Sequence, residues 1–333
     1  MLKKRIKKWL LGTDLIQEYI CVGMETFTEI FKIVLSFPTN STSIDVSKTH
    51  VFLGYKPLIV GISFNKCEQG YGALASSGEV CLSFNSSPFK EEIQKNKFKL
   101  DKKNIAQLFL KKIIEKDFDD TSFFIYQGVK GKHQFLSPFH QFTNQLLNSL
   151  KRKGSNNIGL PGNLYEQVRI AYSVPRIISV ISLGSGNQYN MFPTDLHGSI
   201  NNDLYVSSLR HEGEACKQVM EIKRITISTV SIDSFRDTYA LGKNHMHPLK
   251  PLEAFKINAI QSEQFNYPLP KEILSYKEME LIDTIDIGIH RLLFYKIINN
   301  KVLNRESSTL SHIHQYCQVW REKQGIKTEV LMR

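Results

Sequence analysis

The chain has 333 residues, 41% hydrophobic and 23% charged, with a formal net charge of +11. That length allows about two domains and a sizeable core, and the balance is that of an ordinary soluble globular protein. No apolar run reaches the roughly 18 to 20 residues of a bilayer-spanning helix, which argues against an integral membrane protein. Five cysteines, odd in number, widely spread and without a C-x-x-C pair, predict a reduced cytoplasmic chain and speak against zinc. The positive charge favours anionic partners such as phosphorylated cofactors, nucleic acid or a membrane surface. No nucleic-acid motif appears, so nucleic acid is not expected.

Residues 1–12 carry five basic side chains and no acid, with Leu2, Ile6, Trp9 and Leu10 at helical spacing. The pattern fits a docked terminal helix or one lying on an anionic membrane surface. It is not a secretory signal, because a continuous apolar core and a small-residue cleavage site are missing. Apolar spacing predicts helix from Phe27 to Leu35, and Pro38 to Ser47 reads as a turn-rich connection. Val51 to Phe64 reads as strand, turn and buried strand. Gly70 to Ser77 reads as a tight turn, since its G-Y-G lacks the spacing and lysine of a phosphate loop. Glu79 to Phe84 resumes a strand.

Ile105, Leu108, Phe109, Ile113 and Ile114 predict an amphipathic helix over 102–116. Asp117, Asp119 and Asp120 read as a solvated cap before the strand Ser122 to Gln127, because they lack the spacing of a calcium loop. Gln141 to Leu150 is a predicted helix. The K-R-K-G-S-N-N-I-G-L-P-G run at 151–162 is the strongest linker signal and places the domain boundary, giving a region 1–155 and a domain 163–333.

Beyond the linker the texture changes. Arg176 to Leu183, Tyr189 to Phe192, Asp203 to Leu209 and Arg224 to Asp233 read as strands, with a helix at His211 to Glu221 and a short one at Ser234 to Gly242. His245-Met-His247, flanked by prolines, reads as a loop rather than a metal site, and no metal is predicted. Phe255 to Ile260, Met279 to Ile287 and His290 to Ile298 read as strands, Asn299-Asn300 as a turn, and Leu310 to Gln324 as a helical tail. Many strands and few helices predict an antiparallel barrel.

The polar cluster between Gln188 and Ser199 stands out. Asn190, Thr194, Asp195 and His197 crowd one short segment, where they either cap a turn or face a ligand. Four features in order carry a resemblance: the Arg176 to Leu183 strand, N-M-F-P-T-D-L-H-G, Y-V-S-S-L-R with a helix after it, and the late L-I-D-T-I-D-I-G-I-H-R-L-L-F-Y-K-I-I pair. Over roughly Val174 to Gly325 the chain resembles the flavin reductase-like family, the FMN-binding split barrels.

The resemblance implies an α+β fold, with an antiparallel split β-barrel of the FMN-binding type in the C-terminal half. It implies FMN as cofactor, NAD(P)H as co-substrate, a homodimer, and NAD(P)H-dependent flavin reduction or a related flavin oxidoreductase activity. Carried over by position, Asn190, Thr194 and Asp195 would lie along the isoalloxazine or ribityl chain. Ser207, Ser208 and Arg210 would sit near the phosphate, where a guanidinium beside a helix N-terminus suits an anion. His197 would serve the N1/O2 edge of the ring, and the C-terminal segment would bring His312 or His314 to flavin or nicotinamide. Pro-Thr-Asp-Leu-His departs from the serine- and threonine-rich segment of many relatives. A carboxylate at Asp195 facing N1 would oppose a flavin anion, whereas one capping the turn would not.

A different reading is a non-catalytic ligand- or protein-binding module on the same scaffold. Residues 1–155 are expected to be a mixed α/β region of unknown role. P-L-I-V-G-I-S-F and S-G-E-V-C-L-S-F echo the barrel's middle strands, which leaves a degenerate second barrel copy as the alternative.

Overall fold

The computed structural model describes residues 2–13, 18–24, 31–38, 43–85, 104–151, 159–304, 308–323, 325 and 330–331. The chain divides into two compact units, one formed by 1–20, 28–174 and 313–327, the other by 21–27, 175–312 and 328–333. The described helices are α1 (Leu2–Leu11), α2 (Tyr71–Ser76), α3 (Pro138–Lys151), α4 (Leu164–Ala171), α5 (Glu214–Ile222), α6 (Phe235–Ala240) and α7 (Gln315–Lys323).

The first unit is built on a seven-stranded antiparallel sheet. In chain order its strands are Lys32–Ser36, Ser43–Asp45, His50–Tyr55, Leu58–Asn65, Glu79–Asn85, Asn104–Phe118 and Thr121–His133. In space they run second, first, fifth, sixth, seventh, fourth, third. The second unit holds Ser179–Ser185, Gln188–Thr194, His197–Ser199, Leu204–Arg210, Arg224–Val230, Ile273–Ile287 and His290–Val302, and these run in the same spatial order. In both units the sixth and seventh strands form a long bulged hairpin of 15 and 13 residues. In both, a helix follows the fourth strand. The pairings leave each sheet open, with its second and third strands at the edges, rather than closing a barrel.

The largest correction concerns 102–116, expected as a helix and found as the strand Asn104–Phe118. Its pairing slips at Phe109/Leu110 and again between Lys112 and Ile114. Each bulge doubles residues on one face, so the alternation of a strand is broken into something that mimics helical spacing. Pairing on both sides, to Glu79–Asn85 and to Thr121–His133, overrides the local signal. Phe27 to Leu35 ends in the strand Lys32–Ser36 instead of a helix, while 25–30 lie outside the described residues. A short strand, Ser43–Asp45, occupies the expected connection, and α2 the expected turn at Gly70 to Ser77. Asp119 and Asp120 form the turn of the hairpin between Asn104–Phe118 and Thr121–His133, not a cap after a helix.

Of the linker, 152–158 lie outside the described residues, and α4 follows it, which the sequence reading missed. Asn299 and Asn300 sit inside the seventh strand, not in a turn. The tail splits into the strand Thr309–His314 and α7. In the segment read as the strand Phe255 to Ile260, only Ala259–Gln261 is extended.

The two predicted strands flanking Gly186 pair as a hairpin, with Ser179 opposite Thr194 and Leu183 opposite Asn190. Pro193 lies within the second strand and does not break it. That strand is at the sheet edge, where a missing N–H removes no ladder bond. Ile181, Leu183, Phe192, Leu209, Val219, Ile225, Met279 and Leu293 bury the inner face of this sheet against α5.

Candidate functional site

The predicted residues do not form a single cluster. Asn190, fully buried, donates through Nδ2 to Gln218 Oε1 at 2.6 Å and to the Asn244 carbonyl at 3.1 Å. Gln218 in turn donates to the His247 carbonyl, and Asn244 Nδ2 to the Met191 carbonyl. These amides tie the edge strand to α5 and to the turn at 241–246. Thr194 accepts from the Leu196 N–H. Ser207 and Ser208 are both buried, with Ser207 Oγ 3.2 Å from the Tyr295 hydroxyl and Ser208 Oγ 3.2 Å from His290 Nδ1. These four residues direct their polar atoms into the fold.

A second group surrounds Asp195. Its Oδ2 lies 3.0 Å from His312 Nδ1, and the two side chains are about one-fifth exposed, at 18% and 20%. His312 Nε2 is 2.9 Å from the Tyr239 hydroxyl, which is 2.6 Å from Cys21 Sγ. Burial opposes charge on this imidazole, yet hydrogen bonding to Asp195 and the neighbouring Cys21 outweigh it and raise its pKa to about 9. At neutral pH His312 is therefore an imidazolium that donates to Asp195 from Nδ1 and to the Tyr239 oxygen from Nε2. The Tyr239 hydroxyl hydrogen is then free to point at the sulfur.

His197 is different. Nε2–H donates to the Ile177 carbonyl at 3.1 Å, Nδ1 lies 2.7 Å from the Tyr205 hydroxyl, and the ring stacks on Tyr205. Burial pushes its pKa down to about 4, so it is a neutral ring with both nitrogens engaged.

Arg210 closes the row. It is exposed at the end of the fourth strand, in register with His290 and shortly before α5, whose N-terminus no side chain caps. His290 is buried beside it, and burial first and the Arg210 charge second depress its pKa to about 4. His245 donates from Nε2 to the Pro193 carbonyl at 2.7 Å. Burial lowers its pKa too, while Arg210 and Asp195 act on it with opposite signs, which places this imidazole within electrostatic reach of both. The turn at 241–246 is thus held to the edge strand at Pro193, two residues before Asp195.

His314 is not brought to this row. It belongs to the first unit, fully buried, with Nδ1 accepting from the Tyr316 N–H and Nε2 3.4 Å from Glu18. Among the described residues no group of three His, Cys, Asp or Glu side chains is arranged for a metal.

No family model matches the sequence, and no curated protein matches it. Solved structures of flavin reductases match about half of the chain. The NADH:FAD oxidoreductase SgcE6 of Streptomyces globisporus aligns with 54% of this chain and 100% of its own, at 11% identity and a TM-score of 0.42. BorF, the flavin reductase component of a bacterial two-component tryptophan halogenase, aligns with 51% and 98%, at 13% identity and 0.41. An FMN-binding protein of Thermus thermophilus aligns with 45% and 80%, at 15% identity and 0.37. At this identity these are partial likenesses, and what those proteins bind is a property of theirs.

Cys21, Tyr239 and His290 were missed by the sequence reading, and His245 was read only as part of a loop. Cys21 and Tyr239 are separated by 218 positions, and no local pattern marks either. Three buried hydroxyls, Ser182, Thr226 and Ser228, were also missed. They lie on neighbouring paired strands and have no hydrogen-bond partner. Serine and threonine on strands read as ordinary alternation.

Proposed function

We propose that the second unit binds a flavin nucleotide, FMN first among them, on a fold of the split-barrel type. The observation that supports this best is that exposed Arg210 lies two residues beyond Ser208, whose N–H donates to the Leu196 carbonyl next to Asp195 and its partner His312. A guanidinium beside an uncapped helix N-terminus suits a phosphate. At the other end the Asp195–His312 ion pair offers partly exposed polar surface without net charge.

Tested against this geometry, the residues carried over from the resemblance divide. Arg210, Asp195 and His312 have exposed surface to offer. Thr194, Ser207 and Ser208 fit the role of scaffold, because their hydroxyls are engaged within the fold, and Asn190 does so through Nδ2 while its buried Oδ1 has no hydrogen-bond partner. Asp195 presents no unpaired charge to a ring: His312 neutralises it, which answers the objection raised by its sequence position.

A bound flavin supplies the hydride and electron-transfer chemistry, with NAD(P)H as donor and a homodimer as the assembly in this reading. The chain's own part is to hold the phosphate at Arg210, to keep Asp195 neutralised by His312, and to fix His197 as a neutral ring. The absorption spectrum of the purified chain and the fluorescence of added FMN test this directly. A colourless protein that leaves FMN fluorescence unchanged would contradict it.

The inward-directed Asn190, Thr194, Ser207 and Ser208 favour a second reading, a non-catalytic binding module. Absorbance at the nicotinamide band separates the two. NADPH oxidation in the presence of FMN supports the reductase, and bound flavin without oxidation supports the module.

A further inference from the structure

In the first unit, α3 is mounted with its polar side inward. Thr143 Oγ1 donates to the Leu10 carbonyl, Asn144 Nδ2 to the Leu11 carbonyl, and His140 Nε2 to the Trp9 carbonyl, so this side is hydrogen-bonded to the end of α1. Gln141 donates from the next turn to the His133 and Leu136 carbonyls. The opposite stripe, Phe139, Phe142 and Leu146, falls at i, i+3 and i+7 and points outward, with exposures of 51%, 64% and 50%. On α1, Ile6 and Trp9 are exposed as well, and the Trp9 ring lies 6.1 Å from that of Phe139. Trp9, Phe139 and Phe142 are the exposed large aromatic residues among the described residues, and all three stand on this one surface.

An amphipathic helix ordinarily turns its apolar stripe to the core. Here the core side is satisfied by polar bonds to backbone, and five large apolar side chains are left in water, which marks an interaction surface. The charges identify what covers it. The α1 sequence holds Lys3, Lys4, Arg5, Lys7 and Lys8 and no acid, and α3 holds no acid and ends in Lys151. Basic residues beside an aromatic and aliphatic stripe match an anionic lipid interface, with the helices lying in its plane. At 1.5 Å per residue, α3 is about 21 Å long, too short to span the core of a bilayer. A second copy would set the same cations face to face.

We propose that α1 and α3 together form a docking face for an anionic lipid bilayer. This face belongs to the first unit and the flavin row to the second, and FMN titration in lipid-free buffer tests that row independently.

The experiment uses the full chain with vesicles of phosphatidylcholine alone or containing about one-third phosphatidylserine, read by co-sedimentation. Wild type is expected to pellet with the anionic vesicles and to bind at least about tenfold more weakly to the neutral ones or at high salt. The double variant Phe142→Asp, Leu146→Asp changes exposed side chains, and an unchanged thermal melt shows that it folds. It is expected to lose at least about tenfold in apparent affinity. Lys8→Glu is expected to weaken binding to anionic vesicles alone. Absence of wild-type binding, or equal binding by the folded double variant, overturns the proposal. So does lipid-free self-association of wild type that the double variant abolishes while vesicle binding stays absent, because the face would then belong to a second copy.

Discussion

In the first sheet the fourth strand ends at Asn65, in register with Thr121. In the second sheet the equivalent strand ends at Arg210, in register with His290. Three residues back, the first sheet has Ile62 opposite Phe124 where the second has Ser207 opposite Leu293. One strand order therefore carries two chemistries. The second unit leaves an arginine and a partly exposed histidine–carboxylate pair at its surface, whereas the first also holds a buried ionised cluster. There Arg169, 1% exposed, lies 3.3 Å from the centre of the Tyr165 ring and 4.5 Å from that of Tyr316. Its Nη1 donates to Glu166 Oε1 at 3.2 Å, and Glu166 also meets His133. Burial would favour the neutral acid at Glu18 and Glu166. Their partners, His314 for the first and His133 with Arg169 for the second, win and hold both at about 2. Strand order sets where side chains can stand, and the residues at the strand ends decide whether a sheet holds a ligand or holds itself together.

The sharpest way to break this contrast is Arg169→Met. Removing the cation leaves buried Glu166 short of a partner, and the expected cost is about 3–5 kcal/mol by urea unfolding, with flavin affinity unchanged in the fraction that stays folded. A loss near zero would mean that the first unit's charges are not what holds it.

The next effect is pH dependence in the second unit. The His312 pKa, about 9 in the folded chain, lies above its ordinary value of 6.5. This contribution to stability is therefore complete below pH 6.5 and is lost as pH rises through about 9, with a ceiling of about 3 kcal/mol at 1.36 kcal/mol per unit. Urea midpoints from pH 6 to 9.5 should fall more steeply for wild type than for His312→Gln, and parallel curves would remove the ion pair from the account. On the acid side the sign reverses. His197 and His290 are buried neutral, so their contribution is lost as pH falls from 6.5 through about 4.

Asn190→Ala should cost about 1–3 kcal/mol, because it strands Gln218 and the Asn244 carbonyl. A matching loss of flavin affinity would return Asn190 from scaffold to ligand contact. The smallest effect on stability is expected for Arg210→Glu, within about 0.5 kcal/mol, since the residue is exposed.

Much of the fold was legible in the sequence because its signals are local. The Gly186 turn between two apolar runs, the strands of Val51 to Phe64, and the helices α1, α5 and α6 follow from turn chemistry and period. The strand Asn104–Phe118 was not legible, since two bulges disguise its alternation. The candidate site was legible only in part. The cluster from Asn190 to His197 and the run Ser207, Ser208, Arg210 are visible as residue types. Which way each side chain points is decided by partners far along the chain. Asp195 meets His312 across 117 positions, and Ser208 meets His290 across 82. Both faces of the fourth strand are buried, so Ser207 and Ser208, on opposite faces, each turn inward, where a one-sided strand would have exposed one of them.

The central claim, that one of two sheets with the same strand order holds a flavin, is tested most directly by titrating FMN into the full chain and its Arg210→Glu variant, followed by flavin fluorescence. The account predicts a single equivalent of FMN per chain and about tenfold weaker binding in the variant, equivalent to about 1.4 kcal/mol. Two equivalents per chain, no binding at all, or equal affinity in the variant would contradict it.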